Sequence, residues 1–184
     1  MVEATSMPTG LALYTKAAEA SASRVISAYS TSFGWASKLL GAECRQPVEN
    51  IYALVRVADE VVDGSAAEAA LLHDDEVSTP GYLLTELELE VYRALHSGYS
   101  TNLVVHAFAT TAIRVGIDED LIRPFFASMR ADLTRTEHSV ESFERYVYGS
   151  AEVVGLMCLK VFTYGKQYSE AQTEQLIKGA RALG

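Results

Sequence analysis

Several residues and patterns that would place this chain outside a reducing cytosol, or on nucleic acid, are scarce or missing. Only two residues are cysteines, Cys44 and Cys158, and neither has a second cysteine or a histidine at metal-ligand spacing. We expect two buried free thiols, although a disulfide between them stays open. Basic residues are few, with 15 lysines and arginines against 24 acidic residues and a formal net charge of −9. This balance argues against nucleic acid as a partner, because phosphate neutralisation needs clustered lysine and arginine.

Long apolar runs are also missing. The most apolar stretch, 153–162, is short and carries Lys160, so no segment is expected to span a bilayer. The first ten residues lack the charged-then-apolar pattern of a signal peptide. We therefore predict a cytoplasmic protein that forms a single helical domain over residues 1–184.

The apolar pattern is that of a helical protein. Apolar residues recur at three- and four-residue spacing, and strict alternation never lasts for the length of a strand, which predicts an all-α fold. Pro47 fits the first turn of one helix and Ser169 the N-cap of another. The segment 64–81, which holds the acidic run 74–76, is predicted as a surface loop with about one helical turn. The predicted helices cover 10–29, 33–40, 46–63, 81–96, 99–115, 119–133, 142–164 and 169–183.

The helix predicted over 46–63 has a narrow polar stripe. At about 100° per residue the stripe occupies an arc of roughly 60°. Over residues 51–63 the remaining positions are apolar except Glu60, which flanks the arc. This pattern is typical of a buried helix whose polar side chains line a cavity or are paired there. The stripe consists of Tyr52, Arg56, Asp59 and Asp63.

Two acids on this stripe predict a cation site. Asp59 and Asp63 are neighbours at i and i+4, and they repel each other unless a cation lies between them. Mg²⁺ would serve, because it binds through one or two carboxylates and takes further ligands from substrate phosphates. Arg56 could then donate two hydrogen bonds to a phosphate. The simpler alternative is that Arg56 only pairs with Asp59 or Glu60.

Three segments together carry a family pattern. Residues 29–33 read Tyr-Ser-Thr-Ser-Phe, residues 51–64 contain Ile-Tyr-Ala and Arg-x-x-Asp-Glu-x-x-Asp-Gly, and residues 146–155 read Tyr-Val-Tyr-Gly-Ser-Ala-Glu-Val-Val-Gly. Through these segments the chain resembles the squalene/phytoene synthase family, the head-to-head isoprenoid synthases, from about residue 29 to residue 184. The resemblance implies an isoprenoid-synthase-type helical bundle around a central cavity.

The resemblance also implies roles for the stripe. Asp59 and Asp63 would hold Mg²⁺, with Mn²⁺ as a substitute, bridged to the diphosphate of a prenyl substrate. Tyr52 and Arg56 would contact the same diphosphate, and these four stripe residues are the implied catalytic residues. The implied diphosphate-binding set is Ser30, Ser32, Tyr52 and Arg56.

A second implied feature is a tunnel for the prenyl chains, lined by small and apolar residues. Glu152 departs from the family pattern, which has a small residue there, so we expect it to point away from the tunnel or to pair with a cation. Simple helix–helix packing is an alternative role for the small residues. Asp132 matches a family position for which the resemblance implies no clear role. The implied tunnel residues are Phe33, Ala151, Val154 and Gly155.

The implied activity is the condensation of two prenyl diphosphates through a cyclopropylcarbinyl diphosphate. Two geranylgeranyl diphosphates giving phytoene, a carotenoid precursor, is the leading expectation, and dehydrosqualene or squalene from farnesyl diphosphate is the alternative. The family's second Asp-rich motif begins with Leu-Gly, and this chain ends at Leu183-Gly184. We therefore expect a truncated chain, without its C-terminal helices, that is inactive alone and self-associates through exposed apolar surface. Release of a lipid product would bring peripheral membrane contact.

Two rival functions follow from the same residues. Head-to-tail prenyl synthases and terpene cyclases are also helical, but the head-to-tail enzymes have adjacent aspartates where this chain has Asp59-Glu60. A non-catalytic helical binding or assembly protein, which needs a partner chain for the missing carboxylates, is the rival from another class.

Overall fold

The described residues of the chain form helices. The computed structural model describes residues 9–30, 36–37, 39–73, 79–133 and 139–183, and no β-strand occurs within these ranges, which confirms the predicted all-α fold. The helices are α1 (Gly10–Tyr29), α2 (Ala42–Asp63), α3 (Ser65–His73), α4 (Pro80–Ser97), α5 (Leu103–Val115), α6 (Glu119–Asp132), α7 (Val140–Val147), a π-helix (Tyr148–Glu152), α8 (Val153–Thr163) and α9 (Glu170–Leu183).

Side-chain caps explain where two of these helices begin. The Gln172 backbone N–H donates to Ser169 Oγ at 3.3 Å, and Gln172 Oε1 accepts from the Ser169 N–H at 2.9 Å, which confirms Ser169 as the N-cap of α9. Asn102 Oδ1 accepts from the N–H groups of Val104 and Val105 at 3.0 and 3.3 Å. The helix predicted from 99 therefore begins later, at Leu103.

Three predicted elements differ from the structure. Helix α2 begins at Ala42, so Pro47 lies inside the helix and not in its first turn. Helix α3 occupies part of the predicted loop, because its Ser-Ala-Ala-Glu-Ala-Ala-Leu-Leu-His sequence is rich in strong helix formers. The single helix predicted over 142–164 is a continuous run of α7, the π-helix and α8. The acidic run 74–76, and all but 36, 37, 39 and 40 of the helix predicted over 33–40, lie outside the described residues.

Helix α2 lies at the centre of the fold, in contact with α1, α3, α4, α5, α6 and α8. Its buried apolar residues join one main core whose largest fully buried side chains include Phe108, Phe125 and Phe126. A second cluster of small residues lets α1, α2 and α5 approach closely, and it contains Ala18, Ala22, Ala53 and Ala107. Side chains on α2 therefore lie close to side chains of several other helices.

The π-helix packs tightly against α6. A Cβ added to Gly149 would lie 2.1 Å from Ser128 Oγ and 2.3 Å from the Pro124 carbonyl oxygen, so only glycine fits there. Ser128 Oγ also donates to the Tyr146 carbonyl oxygen at 3.1 Å. The packing role left open for the small residues of this segment therefore applies to Gly149. Widened π turns inside α-helices frequently lie at functional sites.

Candidate active site

The polar stripe of α2 keeps its predicted composition in the folded chain. Tyr52, Arg56 and Asp59 are half-buried, and Asp63 is exposed at the last residue of the helix. Burial follows from the central position of α2, whose apolar residues contact helices on several sides. The stripe therefore faces a partly enclosed space rather than open solvent.

Asp59 is the most electrostatically perturbed carboxylate of the stripe. Burial raises the pKa of Asp59 from 3.8 to about 6, and the Arg56 guanidinium opposes this rise. The carboxylates of Asp63 and Asp132 raise the pKa of Asp59 further, in that order. These three acids are thus close enough to repel one another, and a cation among them would relieve the repulsion.

Asp132 enters the site from another helix. It is the last residue of α6, and its Oδ2 accepts a hydrogen bond from the Tyr146 hydroxyl of α7 at 3.1 Å. Burial and the Asp132 charge raise the pKa of Tyr146, so the phenol stays protonated and can donate. The structure therefore gives Asp132 a definite place, beside the stripe and oriented by Tyr146.

Arg56 is held on two sides. One of its terminal nitrogens, Nη2, pairs with Glu60 Oε1, as the simpler alternative predicted. Its guanidinium carbon lies 4.5 Å from the centre of the Tyr29 ring, a cation–π contact. Its Nε is buried and has no hydrogen-bond partner among the described residues. A buried unpaired donor is costly, and the described surroundings of this N–H do not satisfy it.

The residues present fit part of a Mg²⁺ site. Carboxylate oxygens are the ligands of a hard divalent ion, and Asp59 and Asp63 would offer them from α2, with Asp132 of α6 near Asp59. Within the described ranges, however, no three His, Cys, Asp or Glu side chains are grouped closely enough to hold a metal by themselves. The remaining ligands would come from a phosphate-bearing substrate, from water or from other residues.

An apolar groove lies next to the polar stripe of α2, because Val55 of the same helix lines it. It has a volume of about 640 Å³ and lies between α2, the π-helix, α8 and α9. Three of the four predicted tunnel residues line it, and the fourth, Phe33, lies outside the described residues, as does Ser32. Ser30 is half-buried at the end of α1. The groove is lined by Val55, Ser150, Ala151, Val154, Gly155, Cys158, Leu159, Phe162, Gln175, Leu176, Gly179 and Ala180.

Glu152 is paired with a cation, one of the two arrangements expected for it. The Arg181 Nε of α9 donates to Glu152 Oε2, and the guanidinium carbon lies 5.5 Å from the centre of the Tyr148 ring. Glu152 is not among the residues that line the apolar groove. The pair instead fastens α9 against the π-helix, which keeps the far wall of the groove in place.

The two cysteines are free, and neither is fully buried. Cys158 lines the apolar groove, where burial raises the pKa of its thiol to about 11. This side chain therefore stays a neutral thiol at physiological pH and acts as part of the apolar wall. The prediction of free thiols is confirmed, and the two predicted buried thiols are partly buried against the core.

Several site residues could not be assigned from the sequence alone. Tyr29 and Tyr146 lie in segments that carry the family resemblance, but the resemblance implied no role for them. Ser65 and Arg181 lie outside these segments. Their partners are on other helices or past a turn, so no periodic pattern joins them. Asp132 was visible as a family position, and only the fold shows what it contacts.

The described residues form a helical protein in which the acids of the polar stripe and Arg56 lie on the same helix as Val55, which lines an apolar groove. Residues 26–184 match the family model described as squalene/phytoene synthase. The chain belongs to the squalene/phytoene synthase family, and it keeps that family's pattern through the stripe.

Similar proteins agree with this assignment. The chain is 31% identical over 157 residues to phytoene synthase 3, chloroplastic, of Zea mays, covering 85% of this chain and 34% of that protein. It is 28% identical over 139 residues to a phytoene synthase of Arthrospira platensis, covering 75% of this chain and 42% of that protein. The chain therefore spans less than half the length of these two relatives.

A solved structure shows the same fold. The crystal structure of a dehydrosqualene synthase in complex with a ligand superposes with a TM-score of 0.64 at 21% identity, covering 80% of this chain and 48% of that one. At this identity the likeness concerns the fold, and it confirms the predicted isoprenoid-synthase type of helical arrangement. Among the described residues, no helix is both long and apolar enough to cross a membrane.

Proposed function

We propose that this chain is part of an enzyme that condenses two prenyl diphosphates head to head, with phytoene from two geranylgeranyl diphosphates as the product. Relatives named phytoene synthases support the choice of product. The family assignment supports head-to-head over head-to-tail chemistry, the nearest rival. The observation that carries the proposal is that the polar stripe of α2 lies next to the apolar groove.

This arrangement can be traced through four helical segments, α2, α6, α7 and the π-helix. Val55 lines the groove one turn before Asp59 on α2, and Ser150 lines it one turn after Tyr146. Tyr146 in turn holds Asp132, which interacts with Asp59. A ligand with an anionic head and a hydrocarbon tail would place its head at these acids through Mg²⁺ and its tail in the groove.

Each part has a task in such a reaction. Asp59 and Asp63 would bind Mg²⁺ together with substrate oxygens and water, and the ion would neutralise charge on the departing diphosphate, while Asp132 lies beside Asp59. The Arg56 guanidinium would donate to a diphosphate oxygen, and the Tyr52 hydroxyl lies on the same stripe. The apolar groove would keep water from the allylic cation that remains when the diphosphate leaves.

We further propose that the 184-residue chain has no synthase activity alone. It spans 34% and 42% of two phytoene synthases, and its described residues supply only part of a metal ligand set. Substrate head-group binding, by contrast, needs only the residues described above. Binding without turnover is therefore the expected behaviour.

Two measurements test the proposal. The 184-residue chain should bind a non-hydrolysable geranylgeranyl diphosphate analogue only when Mg²⁺ or Mn²⁺ is present, and it should release no product from the labelled substrate. The complete enzyme should form phytoene from geranylgeranyl diphosphate without isopentenyl diphosphate. A product made only from farnesyl diphosphate would assign dehydrosqualene or squalene instead, and metal-independent binding would contradict the site.

Exposed apolar side chains support a separate proposal of self-association and peripheral membrane contact. Leu71 and Leu72 on α3 are 87% and 80% exposed, and Phe143 on α7 is 54% exposed. Such surface tends to be covered by another chain or a lipid surface. Light scattering after gel filtration should show species larger than 20.0 kDa, and flotation with liposomes should carry the protein. A monodisperse monomer that stays with the soluble fraction would contradict both.

A further inference from the structure

Glu60 is the acid between the two carboxylates of the stripe, and its own contacts differ from theirs. We propose that Glu60 is a positioning residue for Arg56: it holds the guanidinium in place for contact with the diphosphate, and it does not bind the metal. The proposal rests on the proposed function for the identity of that ligand. The contacts by which Glu60 holds Arg56 are all between residues that the structure describes.

Both carboxylate oxygens of Glu60 are already engaged. Oε1 accepts from Arg56 Nη2, and Oε2 lies 2.7 Å from Ser65 Oγ. The same hydroxyl lies 2.9 Å from the Glu60 carbonyl oxygen, so Ser65 holds both the side chain and the backbone of that residue. A carboxylate bound on both oxygens is a poor candidate for a metal ligand, and its orientation is fixed.

The turn after α2 brings Ser65 into this position. Gly64 has φ +146°, a backbone conformation that side-chain-bearing residues rarely adopt. No atom lies within 4 Å of where its Cβ would be, so backbone conformation, not space, requires glycine. The Gly64 turn thus places the first residue of α3 back over the last turn of α2. This explains why glycine and serine directly follow Asp63.

The direction of the ion pair argues against a role in helix stability. In the other i,i+4 pairs of the described chain the acid comes first; these are Glu119–Arg123, Glu141–Arg145 and Glu174–Lys178. That order is the favourable one, because it also suits the helix dipole. Arg56–Glu60 has the reverse order, and its side chains are 30% and 25% exposed against 67% and 62% for Arg123 and Glu119.

Arg56 is therefore confined on two sides. Glu60 holds one terminal nitrogen, the Tyr29 ring covers one face, and the buried Nε has no hydrogen-bond partner among the residues that the structure describes. A guanidinium fixed in this way loses little conformational freedom when it binds a phosphate oxygen. Loosening the Glu60 contact should thus weaken diphosphate binding while leaving metal binding unchanged.

The test uses the 184-residue chain with three substitutions. Glu60→Gln removes the charge at nearly constant shape, Ser65→Ala releases the second carboxylate oxygen, and Glu119→Gln breaks an exposed ion pair as the matched control. Inorganic pyrophosphate with Mg²⁺ is the probe, measured by titration calorimetry. We expect about tenfold weaker pyrophosphate affinity for Glu60→Gln, roughly threefold for Ser65→Ala and no change for Glu119→Gln.

A spectroscopic measurement separates positioning from binding. The Arg56 Nε–H signal, assigned from its loss in Arg56→Lys, should exchange slowly with solvent in the wild type and rapidly in Glu60→Gln. Unchanged exchange and pyrophosphate affinity in Glu60→Gln would overturn the proposal, as would a loss of affinity for Mg²⁺ alone, which would make Glu60 a metal ligand. If the wild type binds no pyrophosphate, the proposed function fails, and the exchange measurement still decides whether Glu60 holds Arg56.

Discussion

The Tyr146 hydroxyl donates to Asp132 Oδ2 at 3.1 Å, which ties α7 to the end of α6 beside the polar stripe of α2. Because Asp132 also interacts with Asp59, this bond orients a third acid toward the proposed metal site. Partners that orient a metal ligand commonly contribute 10–100-fold to metal affinity.

Asp132→Asn and Tyr146→Phe should therefore both weaken Mn²⁺–pyrophosphate binding. We expect about tenfold for Asp132→Asn, because a negative charge near the proposed metal site is lost, and a smaller loss for Tyr146→Phe, because only the orientation of that charge is lost. Calorimetric titration of each variant measures the effect. Equal affinities in all three proteins would show that Asp132 lies outside the metal site.

The raised pKa of Asp59 predicts a dependence of stability on pH in the metal-free protein. A carboxyl whose pKa rises on folding, here from 3.8 to about 6, favours folding only while it is protonated. The contribution is complete below pH 3.8 and is lost as the pH rises through 6. Asp59→Asn should therefore be more stable than the wild type above that window and equal to it below.

Thermal unfolding at about pH 3 and at about pH 7.5 without metal measures this difference. Since Asp59 is only half-buried, solvent screening reduces the effect to the order of 1 kcal/mol, or about 2–4 °C in Tm at the higher pH. Glu144→Gln, on the exposed face of α7, is the control and should show no such difference. Added Mg²⁺ should stabilise the wild type and not Asp59→Asn. If the difference in stability between Asp59→Asn and the wild type were the same at both pH values, burial of the Asp59 carboxyl would not be the cause.

Gly149 should tolerate no larger side chain. A Cβ would lie 2.3 Å from the Pro124 carbonyl oxygen, a backbone atom that cannot move without displacing α6. Gly149→Ala should cost about 2 kcal/mol or more, at the upper end of overpacking effects. The control is Gly179→Ala in α9, where nothing lies within 4 Å of the added Cβ. That change should stabilise by about 0.5–1 kcal/mol.

Urea unfolding of both variants gives the two free energies. A Gly149→Ala protein as stable as the wild type would mean that the π-helix can move away from α6. In that case the tight packing described above would not fix the position of Tyr146.

The sequence predicted which residues share a face of one helix, but it did not predict the contacts between residues of different helices. Period 3.6 was enough to put Asp59, Asp63, Arg56 and Tyr52 on one face, because their spacing is a property of α2 alone. The contact of Asp132 with Tyr146 depends on how α6 and α7 cross, which no local pattern encodes.

Local composition also misled in one place. The segment 64–81 contains acidic residues and a Thr-Pro-Gly sequence, which indicate a loop, but its first nine described residues after Gly64 form α3. The prediction gave more weight to the turn-forming residues 79–81 than to the alanine-rich residues 65–73, which favour a helix. Thr79 and Pro80 do mark a boundary, as the N-cap and first residue of α4.

Substitution in the groove should separate tail binding from head-group binding. Ala151 lines the groove beside Ser150, and a leucine there would fill space that a prenyl chain needs. Ala151→Leu should lower the affinity for a geranylgeranyl diphosphate analogue about tenfold or more, since each excluded methylene costs up to about 0.8 kcal/mol. Its affinity for inorganic pyrophosphate with Mg²⁺ should stay unchanged. Ala127→Leu, on the exposed side of α6, is the matched control and should affect neither. If Ala151→Leu weakened both ligands equally, the groove and the acids would not form one site, and the proposed prenyl diphosphate substrate would have to be abandoned.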